Sequence, residues 1–260
     1  MGNYIFNFGT GTVVGRRTGV DYTNTPITIP TPGRLATLQD IDVSFDRTLK
    51  ELIGQYQFAV DIAGGQVKIA GKAKVAGMQA NFYNDLFFGN VLSSAAGELM
   101  AVDESHAAAA SITVTPPASG TFVHDLGVFT QSTGNQLTRV TSVPPVGSYS
   151  VTEPGGAYTF NAGEAGTLLI TYSYSVTTAT SKEIVISNQL MGLSPSFEIH
   201  LQMNYPNNGG IVNTLNLKLN ACKASKLDFP LKNTDYTLPS LDFMAFADAS
   251  NTIGIITMNQ

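Results

Sequence analysis

The chain has few of the residues that most often carry chemistry or cross-links. Its 260 residues include one cysteine, Cys222, three histidines and no tryptophan. A single cysteine excludes an intrachain disulfide framework and is typical of a protein made in a reducing cytoplasm. The histidines, His106, His124 and His200, are not spaced as zinc ligands with one another or with Cys222. A nucleophilic pair of Cys222 and His200 has no recognisable local signature in the sequence.

Charge and long apolar runs are also scarce. Charged residues make up 13% of the chain, against a usual ~25%, and the net charge is −5. Nucleic-acid binding needs a concentrated Lys/Arg patch, which this balance disfavours. No run approaches the ~18 apolar residues of a membrane span, and no signal peptide is evident. We therefore expect a protein without a membrane segment and without export.

No strong catalytic or metal-binding pattern is present. Gly9-Thr-Gly-Thr-Val-Val-Gly15 has neither a preceding strand nor the Lys-Ser/Thr pair of a phosphate loop. Asp40, Asp42 and Asp46 lack the spacing and central glycine of a calcium loop, and their spacing suits one face of a strand. We predict no enzyme activity, no cofactor and no metal site.

Residues 55 to 74 alternate with a period of two on both sides of Gly64-Gly65. Two adjacent glycines favour a tight turn, so the pattern predicts a long β-hairpin centred there. That hairpin would pair Ile62 with Val67, Val60 with Ile69, Asp61 with Lys68 and Gln57 with Lys72. An isolated hairpin is marginally stable, so we expect it to belong to a larger sheet or assembly.

The rest of the chain divides by composition. Residues 1–34 are rich in glycine and proline and predict an extended arm. Met78, Phe82 and Leu86 recur every four residues between Gly77 and Gly89, which predicts one short helix. Residues 105–178 have short Val/Thr/Tyr/Phe runs separated by turns, as in a small β-sandwich inserted into a β domain of residues 35–104 and 179–260. A decorated lobe of the main sheet is the alternative for this segment.

Several stretches together resemble the major tail tube protein of long-tailed, siphovirus-like bacteriophages. They are the N-terminal Gly/Pro arm, Leu38-Gln-Asp-Ile-Asp-Val-Ser-Phe, the long hairpin, the short helix, and Lys226-Leu-Asp-Phe-Pro-Leu followed by Leu241-Asp-Phe-Met-Ala-Phe-Ala. Asp125-Leu-Gly-Val and Ile170-Thr-Tyr-Ser-Tyr are similar to a β-module of phage structural proteins. The resemblance covers most of residues 1–104 and 180–260 and lies in the order of elements rather than in an invariant motif.

The resemblance implies a mainly β fold, with a β-barrel or sandwich subunit, one flanking helix and an outward-projecting inserted module. It implies a structural protein of the virion tail, assembled in the host cytoplasm from hexameric rings that stack into a tube. Double-stranded DNA would pass through without specific binding, and other tail proteins would be partners. The same fold is found in the type VI secretion tube.

Site residues are expected in two groups. Asp40, Asp42 and Asp46 are candidates for an acidic channel lining, because an acidic wall repels phosphate and lets DNA slide. Candidates for contacts between subunits or rings come from the arm, the hairpin and the apolar segment near the C-terminus; they are Tyr22, Ile27, Ile29, Asp61, Gly64, Gly65, Lys68, Phe243 and Phe246.

Other functions remain open from the sequence. An exported adhesin or carbohydrate-binding β-sandwich would use the Tyr/Thr/Asn-rich middle segment, but it would need a route of export. A hydrolase on a β scaffold would need an Asp/Glu pair or a His-centred triad, for which the sequence offers no anchor. Within the structural class, a head or tail-terminator component and a secretion-tube protein are further alternatives.

Overall fold

The computed structural model describes residues 11–21, 24–34, 38–55, 57–77, 79–94, 97–178, 181–188, 193–206, 212–231, 233 and 236–259. It divides into two compact units: unit 1 is Met1–Val91 with Ile184–Gln260, and unit 2 is Leu92–Glu183. Unit 2 contains the segment of residues 105–178 that the sequence analysis treats as an insertion, and it extends beyond that segment at both ends. Residue 105 lies inside a strand.

The chain is mainly β, with one short helix. Its first part forms β1 (Thr12–Thr18), β2 (Pro32–Arg34), β3 (Leu38–Ile53), β4 (Ala59–Val75), α1 (Ala80–Tyr83) with a π-helical turn (Asn84–Phe88), and β5 (Leu92–Ser94). Unit 2 continues with β6 (Glu98–Ala107), β7 (Ser111–Thr113), a 3-10 turn (Pro117–Ser119), β8 (Thr121–Thr130), β9 (Thr138–Arg139), β10 (Ser148–Thr152), β11 (Ala157–Phe160) and β12 (Thr167–Ser175). The last part forms β13 (Lys182–Ile184), β14 (Ser196–Pro206), β15 (Val212–Asp228), β16 (Ser240–Ala245) and β17 (Gly254–Asn259).

Unit 1 is one eight-stranded sheet with the helix packed on one face. The strand order is β2-β1-β14-β15-β16-β4-β3, and β17 pairs with β15 beside the end of β16. Alternation along β14 and β15 places Phe197, Ile199 and Leu219 in the core against Phe82 and Leu86 of the helical segment. Within the described residues, β2 and β3 are the two ends of this sheet and do not pair with each other.

The predicted helix is confirmed. Phe82 and Leu86 are buried, and Gly89 ends the helical segment in the left-handed conformation with φ 67°. Glycine adopts this conformation without a steric penalty from a Cβ atom, which explains the stop at that position. Met78, the first residue of the predicted stripe, lies outside the described residues.

The predicted hairpin turn at Gly64-Gly65 is wrong. β4 runs through both glycines, and β3 pairs with it along nearly its whole length, so the chain reverses between Ile53 and Ala59. The register shifts between Arg47 and Leu49, opposite this glycine pair. A Cβ on Gly65 would lie 2.4 Å from Thr48 Oγ1, so the site needs glycine for a β-bulge rather than for a turn.

Unit 2 is a two-sheet sandwich. One sheet has the order β6-β12-β8 and the other β7-β11-β10-β9. Side chains from both sheets form one core, among them Val128, Tyr158 and Tyr172. Five strands match runs predicted from the sequence, namely β7, β9, β10, β11 and β12. The sequence pattern did not predict β8.

Candidate assembly surface

The outer half of β3 and β4 is an exposed part of unit 1. β16 pairs with β4 only from Lys74 to Ile69, where Ala245 is the last partner. The chain then leaves the sheet, and a turn forms in which Asp248 Oδ1 accepts hydrogen bonds from the backbone N–H groups of Ser250 and Thr252. Beyond Ile69, β3 and β4 therefore continue as a two-stranded ribbon, residues 45–68.

One face of this ribbon is apolar and exposed. The register places Phe45 beside Ile69 and Glu51 beside Ile62, so this face continues the core side of the sheet. Ile69 is 8% exposed, but the side chains farther along the same face, Phe45, Leu49, Ile62 and Val67, are between 48% and 63% exposed. We call this set the apolar ribbon face. Contiguous exposed apolar surface on a soluble protein typically marks an interaction site.

The opposite face of the sheet carries paired charges. The three aspartates expected to line a channel lie directly opposite three lysines of β4: Asp40 opposite Lys74, Asp42 opposite Lys72, and Asp46 opposite Lys68. Lys74 Nζ lies 2.9 Å from Asp40 Oδ2, and Lys72 Nζ lies 3.5 Å from Asp242 Oδ1 of β16. The sequence analysis paired Lys72 with Gln57 and Lys68 with Asp61. Both pairings are wrong, because the predicted turn is in the wrong place.

This pairing changes the electrostatics of the predicted lining. Three carboxylates and three ammonium groups on adjacent strands sum to no net charge over that patch. Exposed pairs of this kind contribute about 0–1 kcal/mol each, so their main effect is to fix register and neutralise the surface. That the three aspartates face a channel stays a prediction.

The predicted contact residues are spread over several places. Tyr22 lies outside the described residues, Ile29 is 88% exposed, and Ile27 is half-buried with its N–H donating to the Gly19 carbonyl. Asp61 and Lys68 are exposed on the charged side of the ribbon. Gly64 pairs with Leu49, and Gly65 lies at the bulge next to it.

Phe243 is not available for a contact between subunits. It is 1% exposed, its ring lies 6.4 Å from that of Phe197, and it packs directly over Gly71, where any Cβ would clash. Its position in the core explains why this part of the segment near the C-terminus is apolar. Phe246, three residues farther along, is 41% exposed and remains a candidate.

A buried carboxylate on the charged side of unit 1 was not anticipated from the sequence. Glu198 Oε1 accepts hydrogen bonds from Arg16 Nε at 2.5 Å and lies 2.8 Å from His200 Nε2. Burial opposes ionisation of Glu198, but the hydrogen bonds from Arg16 and His200 lower its pKa below the usual value. The period-two spacing of Glu198 and His200 was the available signal, since i and i+2 share a strand face.

Cys222 and His200 lie on opposite sides of this sheet. Cys222 is buried in the core, where burial raises the pKa of its thiol to about 12. His200 is on the side of Glu198, which is not the core side. The two therefore do not meet, and a thiol in this state is a poor nucleophile.

Unit 2 contains a second buried carboxylate. Asp125, whose side chain is 3% exposed, accepts hydrogen bonds from Tyr149 Oη at 2.6 Å and Tyr158 Oη at 3.0 Å. Burial and this carboxylate raise the pKa of both tyrosines. Glu153 accepts from the Asp125 N–H and from Arg139, and these contacts lower its pKa. The network joins both sheets of the sandwich.

Among the described residues, no group of three or more His, Cys, Asp or Glu side chains is placed to hold a metal ion. No helix in the described part of the chain is long and apolar enough to cross a membrane. No protein-family model matches the sequence, and no curated protein matches it either.

Proposed function

We propose that the chain is a structural virion protein that self-associates into hexameric rings, and that these rings stack into the tube of a phage tail. In this proposal the sheet of unit 1 forms part of a barrel in the assembled ring, and DNA passes through the channel without specific binding. The proposal combines the resemblance of the sequence with one structural observation, the exposed apolar ribbon face.

The ribbon supports this function because a partner would cover its apolar face and thereby stabilise it. Two-stranded hairpins are marginal alone, and three or more strands with a covered apolar face are needed for independent stability. β3 and β4 contain 16 and 17 residues, far beyond what their own core can cover. A neighbouring subunit would cover the apolar ribbon face, and a head-to-tail contact that closes would generate a ring.

The charged side of the sheet is compatible with a channel wall. A conduit should not retain its cargo, and each free lysine that engages a phosphate strengthens binding through counterion release. Here Lys72 and Lys74 are already engaged by aspartates. A wall with this pairing would be close to neutral toward DNA rather than strongly acidic.

The adhesin alternative receives less support. It would use aromatic rings of the middle module as a ligand platform. In unit 2, however, Tyr149, Tyr158, Tyr172 and Tyr174 are all buried, and they form the core of the sandwich.

Negative-stain electron microscopy over a concentration series tests the proposal. The purified chain is expected to form rings and hollow tubes, and Ile62→Glu on the apolar ribbon face is expected to abolish them. Ala63→Glu is the matched control, because the neighbouring side chain lies on the charged side opposite Lys50. A wild-type chain without rings or tubes at any concentration would refute the proposal.

A further inference from the structure

The edge of unit 1 formed by β3 offers a defined site for a second chain. Within the described residues, β3 pairs with β4 alone, so its other edge is unpaired along a 16-residue strand. Unpaired backbone N–H and C=O groups of an edge strand are a template for pairing with another strand. Such pairing needs side chains that match across the new contact.

On one face of β3, the side chains have a chemically complementary order when the strand is placed antiparallel to a second copy of itself. Residues 45, 47, 49, 51 and 53 alternate onto the face that β3 shares with the apolar ribbon face, and they read Phe, Arg, Leu, Glu, Ile. Phe45, Leu49 and Ile53 are between 52% and 69% exposed, and Arg47 and Glu51 are exposed as well. In the part of the chain that the structure describes, neither Arg47 nor Glu51 has an ion-pair partner. The order is apolar, basic, apolar, acidic, apolar.

We propose that two copies of this chain pair antiparallel through their β3 edges, with the two-fold axis at Leu49. In this register Arg47 of each copy lies opposite Glu51 of the other, and Phe45 lies opposite Ile53. Each contact occurs twice, as two-fold symmetry requires. Opposite charges and apolar pairs placed directly across antiparallel strands stabilise the sheet.

Neighbouring registers do not match. With the axis at Thr48, Phe45 would lie opposite Glu51 and Arg47 opposite Leu49. With the axis at Lys50, Arg47 would lie opposite Ile53 and Leu49 opposite Glu51. On this face, only the axis at Leu49 pairs each charge with its opposite and each apolar side chain with another. On the other face, the same register places Asp46 opposite Leu52 and Thr48 opposite Lys50 of the second copy, with Asp46 diagonal to Lys50.

This dimer also adds the strands that the two-stranded ribbon needs for stability. Two ribbons joined at β3 form a four-stranded sheet, above the number at which a sheet with an apolar face becomes stable. The inference does not rest on the proposed tube. A two-fold contact is complete with two copies, whereas a ring needs a head-to-tail contact between successive subunits. The dimer would therefore pair the β3 edges independently of any ring.

Sedimentation equilibrium on the full chain tests the charge pairing. Wild type is expected to dimerise, while Arg47→Glu and Glu51→Arg are each expected to weaken dimerisation by about tenfold or more, since both symmetry-related pairs become repulsive. The double variant Arg47→Glu/Glu51→Arg restores both pairs and is expected to dimerise like wild type. Glu98→Lys, at an exposed residue of unit 2, makes the same change of net charge as Glu51→Arg and is expected to have no effect.

Mixing gives the sharpest form of the test. The two single variants are monomeric alone, but in an equimolar mixture every charge pair is attractive again, so a heterodimer is expected. Leu49→Cys, placed on the axis, is expected to form a disulfide-linked dimer under mild oxidation, while Val60→Cys on β4 is not. Cys222 is buried and does not interfere.

A monomeric wild type, or a mixture that stays monomeric, would overturn the inference. The outcome is separate from that of the tube proposal. Rings that form equally well in wild type and in Glu51→Arg, without any dimer, would leave the tube proposal standing and remove this one. A charge-dependent dimer that never forms rings would support this inference and refute the tube proposal.

Discussion

Unit 1 and unit 2 are both built from antiparallel sheets, but they cover their apolar side chains differently. Unit 2 places two sheets face to face, and Tyr149, Tyr158 and Phe160 lie inside a shared core. Unit 1 has one large sheet and one short helical segment, which packs against β2, β1, β14 and β15. The comparison shows that the core of unit 2 is enclosed between two sheets, while unit 1 leaves the apolar ribbon face exposed.

Buried polar groups show the same contrast. In unit 2, Asp125 accepts hydrogen bonds from the hydroxyls of two core tyrosines, Tyr149 and Tyr158. In unit 1, Tyr83 Oη and Asn216 Oδ1 are buried and have no hydrogen-bond partner among the residues that the structure describes. Each such group costs free energy, so the buried polar groups of unit 1 are less fully satisfied than the Asp125 network of unit 2.

The largest expected effect is the loss of stability on truncating a core side chain of unit 1, compared with a surface side chain. Phe243→Ala removes a fully buried ring and is expected to lower the free energy of unfolding by about 3–5 kcal/mol. Phe246→Ala removes a ring that is 41% exposed and should cost much less. Urea unfolding of the two variants measures the difference. Equal losses would mean that Phe246 also belongs to the core.

A slightly smaller effect is expected in unit 2. Asp125→Ala leaves two tyrosine hydroxyls unsatisfied and is expected to cost about 3 kcal/mol, since each buried unpaired group costs about 1–3 kcal/mol. Glu98→Ala, an exposed residue of the same unit, is the control. Near-ultraviolet circular dichroism during urea unfolding follows the tyrosines of this core. An Asp125→Ala variant as stable as wild type would show that the network does not hold the sheets together.

The smallest effect concerns the bulge in the ribbon. Gly65→Ala brings a Cβ within 2.4 Å of Thr48 Oγ1 and 3.0 Å of its carbonyl oxygen, so we expect a loss of about 1–3 kcal/mol. Gly64→Ala meets only the Arg47 Cδ at 3.7 Å and should be nearly neutral. Hydrogen exchange of the ribbon amides reports the local opening. Similar exchange in both variants would contradict the bulge.

The sequence determined the elements whose signals are local. The period-four spacing of Phe82 and Leu86 before Gly89 predicted the helix, because this periodicity follows from backbone geometry alone. The absence of a cysteine pair and of a metal-ligand pattern followed from residue identity. The short strands of unit 2 between Ser148 and Ser175 were visible for the same reason.

The tertiary structure alone decided which strands pair and in what register. Two adjacent glycines fit a tight turn and a β-bulge equally well by local preference, and only the pairing of β3 along β4 selected the bulge. In this pairing Asp42 and Asp46 lie opposite lysines of β4, and the apolar ribbon face is exposed. It also buried Phe243 and left Phe246 at the surface. These outcomes depend on contacts between distant residues, which a pattern along the chain does not contain.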